Sequence, residues 1–295
     1  MFILHYLILG IIYVLSLLPF WILYRISDLS FLILYKLFKY RVHVTRKNLK
    51  AGLPNEPEEK LRQIEKQFYR HLGDVLVETI KSFSISKKEL LKRMKIENAE
   101  LLDKHLSSGK SLIAVTGHYG NWEWAAMSLA LQVNYPAYGL YLPLKNKAFN
   151  ASMVRSRSRF GVRLVAVKEL ADKMEQLKNE TCIWGFIVDQ SPAKPDRAHW
   201  IEFLNQETAV ATGTDRYARQ YNLGVVFGKI TKVKRGYYTL RYEEVCIDST
   251  KTTEGEISKK HSGILEKLIQ QEPQYWLWTH KRWKHKKSAG VNLVR

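Results

Sequence analysis

The chain has two cysteines, Cys182 and Cys246. Both fall in apolar runs that read as strands. They supply neither the paired spacing of a metal site nor a disulfide framework, and this fits a reducing compartment. There is no Walker loop and no GxGxxG, so a nucleotide cofactor is not indicated. Internal repeats and low-complexity tracts are also missing. Acidic residues are absent from three places: Met1–Tyr24, Lys36–Lys50 and everything after Glu272. The first of these stretches lacks Lys and Arg as well, with His5 its one potentially charged side chain.

What the chain has in excess is positive charge. Against 28 Asp and Glu stand 47 Lys and Arg, a formal net charge of +19. Such a balance favours an anionic partner: nucleic acid, a negative membrane surface or a phosphorylated substrate. The 295 residues are 46% hydrophobic and 25% charged. That composition suits one large globular domain, alone or with appendages.

The N-terminus separates those partners. The charge-free run is long enough to span a bilayer. A cleavable signal would carry basic residues before its apolar core, whereas here the first charge, Arg25, follows it. A second apolar run, Leu29 to Phe38, is too short to span alone. Lys36, Lys39, Arg41, Arg46, Lys47 and Lys50 then follow, and the positive-inside rule keeps such a flank cytoplasmic. The expectation is a membrane anchor over residues 1–40, followed by one domain over 41–295. A buried helix and an interfacial helix that does not span are the alternatives.

Periodicity supplies the rest of the organisation. Helices are expected at 57–84, 100–106, 169–178, 213–221 and 253–270. Strands are expected at 111–116, 137–142, 162–167, 182–188, 200–203, 224–233 and 237–245. The alternation implies an α/β fold with a mainly parallel central sheet flanked by helices. Ligands of such sheets bind beyond the carboxyl ends of the strands. Two polar segments fall at such ends.

The first is Gly117-His118-Tyr119-Gly120-Asn121-Trp122-Glu123, between the 111–116 strand and a helix-like run from Trp124. Five residues inside one helix rotate by about 500°, so His118 and Glu123 would not share a face there. They meet if His118 is in the loop and Glu123 in the first helical turn, with Asn121 as N-cap. The pair then reads as a general base and the carboxylate that orients it. The plain alternative is an ordinary strand–loop–helix junction. The second segment is Asp189-Gln190-Ser191-Pro192. There Asp189 either binds backbone amides of the turn or positions a substrate.

Arg155, Arg157 and Arg159 alternate with serines before Phe160-Gly161. They read as a grip on phosphate, carboxylate or an oxyanion, or as a solvated helix face. The C-terminal Gln274-Tyr-Trp-Leu-Trp-Thr-His-Lys-Arg-Trp-Lys284 interleaves aromatics with cations. That pattern suits a bilayer interface or single-stranded nucleic acid. The apolar N-terminus favours the membrane and leaves nucleic acid out.

Together these segments resemble the bacterial lipid A biosynthesis (late) acyltransferases of the lysophospholipid acyltransferase superfamily, over nearly the whole chain. His118 to Glu123 is similar to that family's His-x4-Asp/Glu motif. The segments at Arg157–Gly161, Asp189–Pro192 and Pro273–Lys284 follow in the same order. The resemblance implies a glycerol-phosphate-acyltransferase-like fold with an N-terminal membrane helix. It implies an O-acyltransferase of the bacterial inner membrane, facing the cytoplasm, that moves a fatty acyl chain from acyl carrier protein to a lipid A precursor. His118 and Glu123 would be catalytic, while Arg155, Arg157, Arg159 and Asp189 would bind substrate. No metal and no cofactor is called for, because a thioester is already activated. The acceptor stays open, since an aminolipid or a glycolipid fits as well. The rival reading is a membrane-tethered binder of anionic ligands without catalysis.

Overall fold

A computed structural model of the protein describes residues 2–294. Met1 and Arg295, at the ends of the apolar and basic stretches read above, lie outside them. The chain opens with α1 (Phe2–Leu17) and α2 (Phe20–Phe31), passes through a π-helical turn (Leu32–Leu37), and continues as α3 (Val42–Gly52), α4 (Glu58–Lys81) and α5 (Lys87–Arg93). Strands and helices then alternate: β1 (Met94–Ile96), α6 (Ala99–Leu106), β2 (Leu112–Thr116), α7 (Trp122–Gln132), β3 (Ala137–Tyr141), α8 (Lys147–Arg157), β4 (Arg163–Ala166), α9 (Leu170–Gln176) and β5 (Ile183–Ile187). A hairpin of β6 (His199–Phe203) and β7 (Gln206–Val210) precedes α10 (Gly213–Tyr221), β8 (Gly224–Lys234), β9 (Tyr237–Cys246) and α11 (Glu256–Gln271).

Seven strands form the central sheet in the order β1-β9-β8-β2-β5-β3-β4. Every neighbouring pair is parallel except β8 and β9. The expected α/β class and mainly parallel sheet are therefore present. The first four residues of β2 are all buried, because helices cover both faces. Alternation sends Ile113 and Val115 into one core with Trp184, Phe186 and Phe227. Leu112 and Ala114 go into the other core with Ile183 and Val226. The first core is closed by α4, α10, α11 and the C-terminal Trp276 and Trp278. The second is closed by α5, α6 and α7.

The N-terminal membrane helix expected from the charge-free run is not found. Pro19 has no amide hydrogen to continue a helix, so α1 stops at Leu17 and α2 starts at Phe20. The 16 residues of α1 rise about 24 Å, short of the roughly 30 Å of a bilayer core. No helix among the described residues is long and apolar enough to cross a membrane.

These first helices are tied to α4 by polar groups as well as apolar ones. Tyr24 Oη donates to Glu78 Oε1 across 2.9 Å, and Ser27 Oγ to Asp74 Oδ1 across 2.8 Å. Lys81 Nζ donates to the carbonyls of Ser16 and Leu18, placing a cation on the negative end of α1. Arg235, between β8 and β9, joins Asp28 of α2 to Asp74 of α4. Glu78 also accepts from Asn121 Nδ2 at 2.6 Å and from Tyr238 Oη at 2.9 Å. Burial, with the Asp74 charge, pushes the Glu78 carboxyl up to about 7.

Removing the Tyr24 hydroxyl leaves one lobe of a fully buried carboxyl without its donor. Tyr24→Phe is expected to lower the unfolding free energy by about 1–2 kcal/mol. A urea denaturation curve at pH 7 checks this, and an unchanged midpoint would show that the joint contributes nothing.

Candidate active site

β2 and β5 are parallel neighbours in register from Leu112 with Ile183 to Thr116 with Ile187. Their chains leave the sheet side by side, so His118 and Asp189 emerge together at its carboxyl edge. Gly117 permits the approach. A Cβ there would stand 3.3 Å from Asp189 Oδ2 and 2.9 Å from Leu265. Gly120 turns the loop at φ +60°, where a Cβ would press on Ile230 at 2.7 Å. Asn121 then caps α7, its Oδ1 accepting the Trp124 amide at 2.9 Å.

Asp189 is buried and collects three donors. His118 Nδ1 lies 2.7 Å from Oδ1, while the His118 amide donates to Oδ2 at 2.9 Å and Trp276 Nε1 to the same oxygen at 2.8 Å. Burial opposes the charged carboxylate, but the His118 charge and these hydrogen bonds prevail and hold its pKa at about 2. An ionised carboxylate only accepts, so Nδ1 carries the proton and Nε2 is the basic nitrogen of the neutral ring. The Gln190 amide approaches Nε2 at 3.3 Å, and the Trp122 ring stands edge-on to the imidazole at 5.1 Å. Burial disfavours the imidazolium, yet the Asp189 charge and hydrogen bond, with a further push from Glu123, raise the His118 pKa above its ordinary value. Arg157 acts in the opposite direction.

His118 and Glu123 are not hydrogen-bonded to each other. Nδ1 is already occupied by Asp189, and the Glu123 carboxylate is gripped by both arms of Arg157, at 2.7 Å from Nε and 2.5 Å from Nη2. The orienting contact expected of Glu123 is thus made by Asp189, while Glu123 acts on the ring through its charge. Asp189 binds a backbone amide, as one reading held, but that of His118 rather than of its own turn.

The three arginines do not act as one cluster. Arg155 and Arg157 lie in α8, and residues two apart on a helix project about 200° apart. Arg157 turns to Glu123, Arg155 is exposed, and Arg159 donates to the Ser82 carbonyl at 2.8 Å. Of the three, Arg157 alone pairs with a residue of the His118 segment.

The aromatic tail is not displayed at the surface as expected. Trp276 and Trp278 are core residues, and the chain around them is laced to the His118 loop. The Leu277 amide donates to the His118 carbonyl and the Gly120 amide to the Tyr275 carbonyl. Two indoles fill the space below the loop, and one of them finishes the shell of Asp189. His280 accepts the Ser191 amide at Nε2 across 3.0 Å, and burial lowers its pKa to about 4. Trp276 and His280 were legible only as members of an aromatic and cationic run. Among the described residues no cluster of His, Cys, Asp and Glu has the form of a metal site.

The profile of the family described as bacterial lipid A biosynthesis acyltransferase matches residues 1–285. The chain is 23% identical over 280 residues to a lipid A biosynthesis palmitoleoyltransferase of Escherichia coli K12, covering 94% of this chain and 89% of that protein. It is 23% identical over 246 residues to a lipid A biosynthesis acyltransferase of Haemophilus influenzae, covering 83% and 78%. To a lipid A biosynthesis lauroyltransferase of E. coli K12 it is 22% identical over 281 residues, covering 94% and 90%.

The Asp189 carboxylate raises the His118 pKa, so removing its charge must lower it. Asp189→Asn is expected to move the His118 imidazole titration, followed by NMR of the ring protons, to lower pH. The folded wild-type Asp189 has a depressed pKa, so its contribution to stability is present above the ordinary Asp value and lost as pH falls through about 2. An upward or absent shift in the His118 titration would exclude Asp189 as its charged partner.

Proposed function

Since the chain belongs to the bacterial lipid A biosynthesis acyltransferase family, and is an O-acyltransferase acting in lipid A biosynthesis, we propose that His118 and Asp189 form its base and orienter. The observation that carries this is the Nδ1–H···Asp189 bond, which leaves Nε2 as the proton acceptor at the carboxyl edge of the sheet. His118 Nε2 takes the proton from a hydroxyl of a lipid A precursor as that oxygen attacks the thioester carbonyl carbon. The carbon–sulfur bond then breaks, and the imidazolium returns its proton to the departing thiolate. Asp189 holds the productive tautomer throughout and stabilises the imidazolium between the two transfers.

Glu123 and Arg157 form a neutralised pair beside this dyad. Arg157 grips Glu123 through Nε and Nη2, and its Nη1 is the arm that would donate to an anionic oxygen of substrate or transition state. The donor is acyl carrier protein, an acidic partner suited to a chain of net charge +19. The reaction takes place on the cytoplasmic side of the bacterial inner membrane, where the acceptor lipid resides. Neither step calls on a metal or cofactor.

The test is lipid A extracted from cells with and without the gene and weighed by mass spectrometry. His118→Ala should match the deletion, one acyl chain short, and in purified form should lose about 10²–10⁴-fold in rate. Arg157→Ala should fall well below Arg155→Ala, whose side chain is on the far side of α8. Because His118 must be neutral to accept a proton, the rate should climb with pH through its raised pKa. Asp189→Asn should move that limb to lower pH while reducing the maximum. Full activity of His118→Ala at normal abundance would end this reading.

A further inference from the structure

One cation of the C-terminal run lies inside the protein and has no part in the chemistry above. Arg282 is 3% exposed. Its Nη1 donates to the Ala209 carbonyl of β7 at 2.7 Å, while its Nε is buried without a partner. Burial lowers its pKa to about 10, and the Asp189 charge acts in the opposite direction, so the guanidinium stays charged at pH 7. A buried cation with an unmet donor is costly unless something satisfies it.

Arg282 and Asp189 line the same small cavity. His261 and Ser262 of α11 complete its polar wall, and Phe203 and Phe227 are among its apolar lining. His261 brings a second buried nitrogen without a partner, Nε2. Burial, with the His199 charge, lowers the His261 pKa to about 3, so this ring is neutral. Asp189 Oδ1 accepts one bond, from His118 Nδ1, and has a lone pair to spare. The cavity offers about 10 Å³ to the centre of a water molecule, room for one. Two orphaned nitrogens, a carboxylate oxygen and the space for one water therefore meet in one place. A buried water is held by about three such partners.

We propose that this cavity is the site of one ordered water that joins Arg282 Nε–H to Asp189, and that Arg282 is thereby a positioning residue of the dyad. The proposal rests on the reading of His118 and Asp189 as base and orienter. The water takes the Nε–H, donates to the carboxylate and meets His261 Nε2. Arg282 then acts on His118 through Asp189. The charged and titratable groups that face His118 are Asp189, Glu123, Arg157 and His280. Glu123 and Arg157 are paired with each other, and His280 is neutral at pH 7. Asp189 draws a proton onto the imidazole, and the Arg282 cation, holding the same carboxylate from the cavity side, limits that pull. Nε2 of His118 is kept basic enough to take a proton and free enough of one to begin.

The test uses the full chain labelled with nitrogen-15 in arginine and histidine, with no acyl donor or acceptor. In the wild type, the Arg282 Nε–H resonance, assigned by its loss in Arg282→Lys, should show a cross-relaxation peak to a long-lived bound water. Arg282→Met should move the His118 ring titration to higher pH by at least about 0.5, opposite in sign to Asp189→Asn. Arg282→Lys keeps the charge and should leave that midpoint within about 0.2 of the wild type. The rising limb of the rate against pH should follow the same order. Absence of the water peak overturns the proposal, and this measurement needs no variant that might not fold beyond the one used for assignment. A folded Arg282→Met whose His118 midpoint is unmoved or lowered overturns it too, even with a reduced melting point, since Arg282 would then be a strut for the Ala209 carbonyl alone. The titration and the water peak are read without acyl transfer, so their failure leaves the chemistry of His118 standing. Both intact beside a fully active His118→Ala would instead count against that chemistry alone.

Discussion

One buried carboxylate, Asp189, sets the geometry on which the site depends. Its two oxygens take the ring and the backbone of His118 and the indole of Trp276. These groups come from the exit of β2 and the C-terminal tail, and Asp189 itself from the exit of β5. A carboxylate in a dry position must be satisfied, and each missing donor would raise its free energy by more than a surface bond would return. The requirement turns three distant stretches of chain into one object. It also fixes chemistry, because a carboxylate that stays ionised to about pH 2 settles which nitrogen of His118 bears hydrogen.

The parts of this arrangement differ in how plainly the sequence announces them. β2 and β5 are continuous apolar runs, and such runs belong to strands covered on both faces, so their place inside a mainly parallel sheet was legible, though not that they are neighbours. So was the turn into α7, where Gly120 and Asn121 are residue types chosen for a positive φ and a helix cap. Helix α8 was read only as a run of arginines. Its cap, Asn146 accepting the Phe149 amide, was the available signal. The three-residue β1 is held by β9, far along the chain, and carries no pattern of its own.

The orienting carboxylate illustrates a different limit. Glu123 was the obvious partner for His118 because it is five positions away, and the local geometry of loop and first turn allowed the contact. Asp189 is 71 positions away and wins because β5 is the hydrogen-bonded neighbour of β2. Strand order cannot be read from spacing. The aromatic tail misled for a related reason. Trp and Tyr among cations fit a membrane interface, yet indoles with partners for their N–H groups also make good core. Trp276 donates to Asp189 and Trp278 to the Pro273 carbonyl, so both are satisfied inside.

A long apolar run at the N-terminus suggests a detachable anchor, and the polar joints argue against detachment. Asp74 and Glu78, one helical turn apart on α4, gather donors from α2, from the β8–β9 hairpin and from the loop that carries His118. His71, a further turn's fraction up the same helix, is kept neutral by burial, its pKa lowered to about 3. It can therefore donate from Nε2 to the Gly120 carbonyl at 3.2 Å while facing Lys232 at Nδ1 across 3.3 Å. Apolar packing tolerates small slides between helices, whereas hydrogen bonds to buried carboxylates do not. A column of such groups along α4 couples the position of the outer helices to that of the loop. In a chain with so large a surplus of positive charge, the buried negative charges act as the points where separate segments are brought into register.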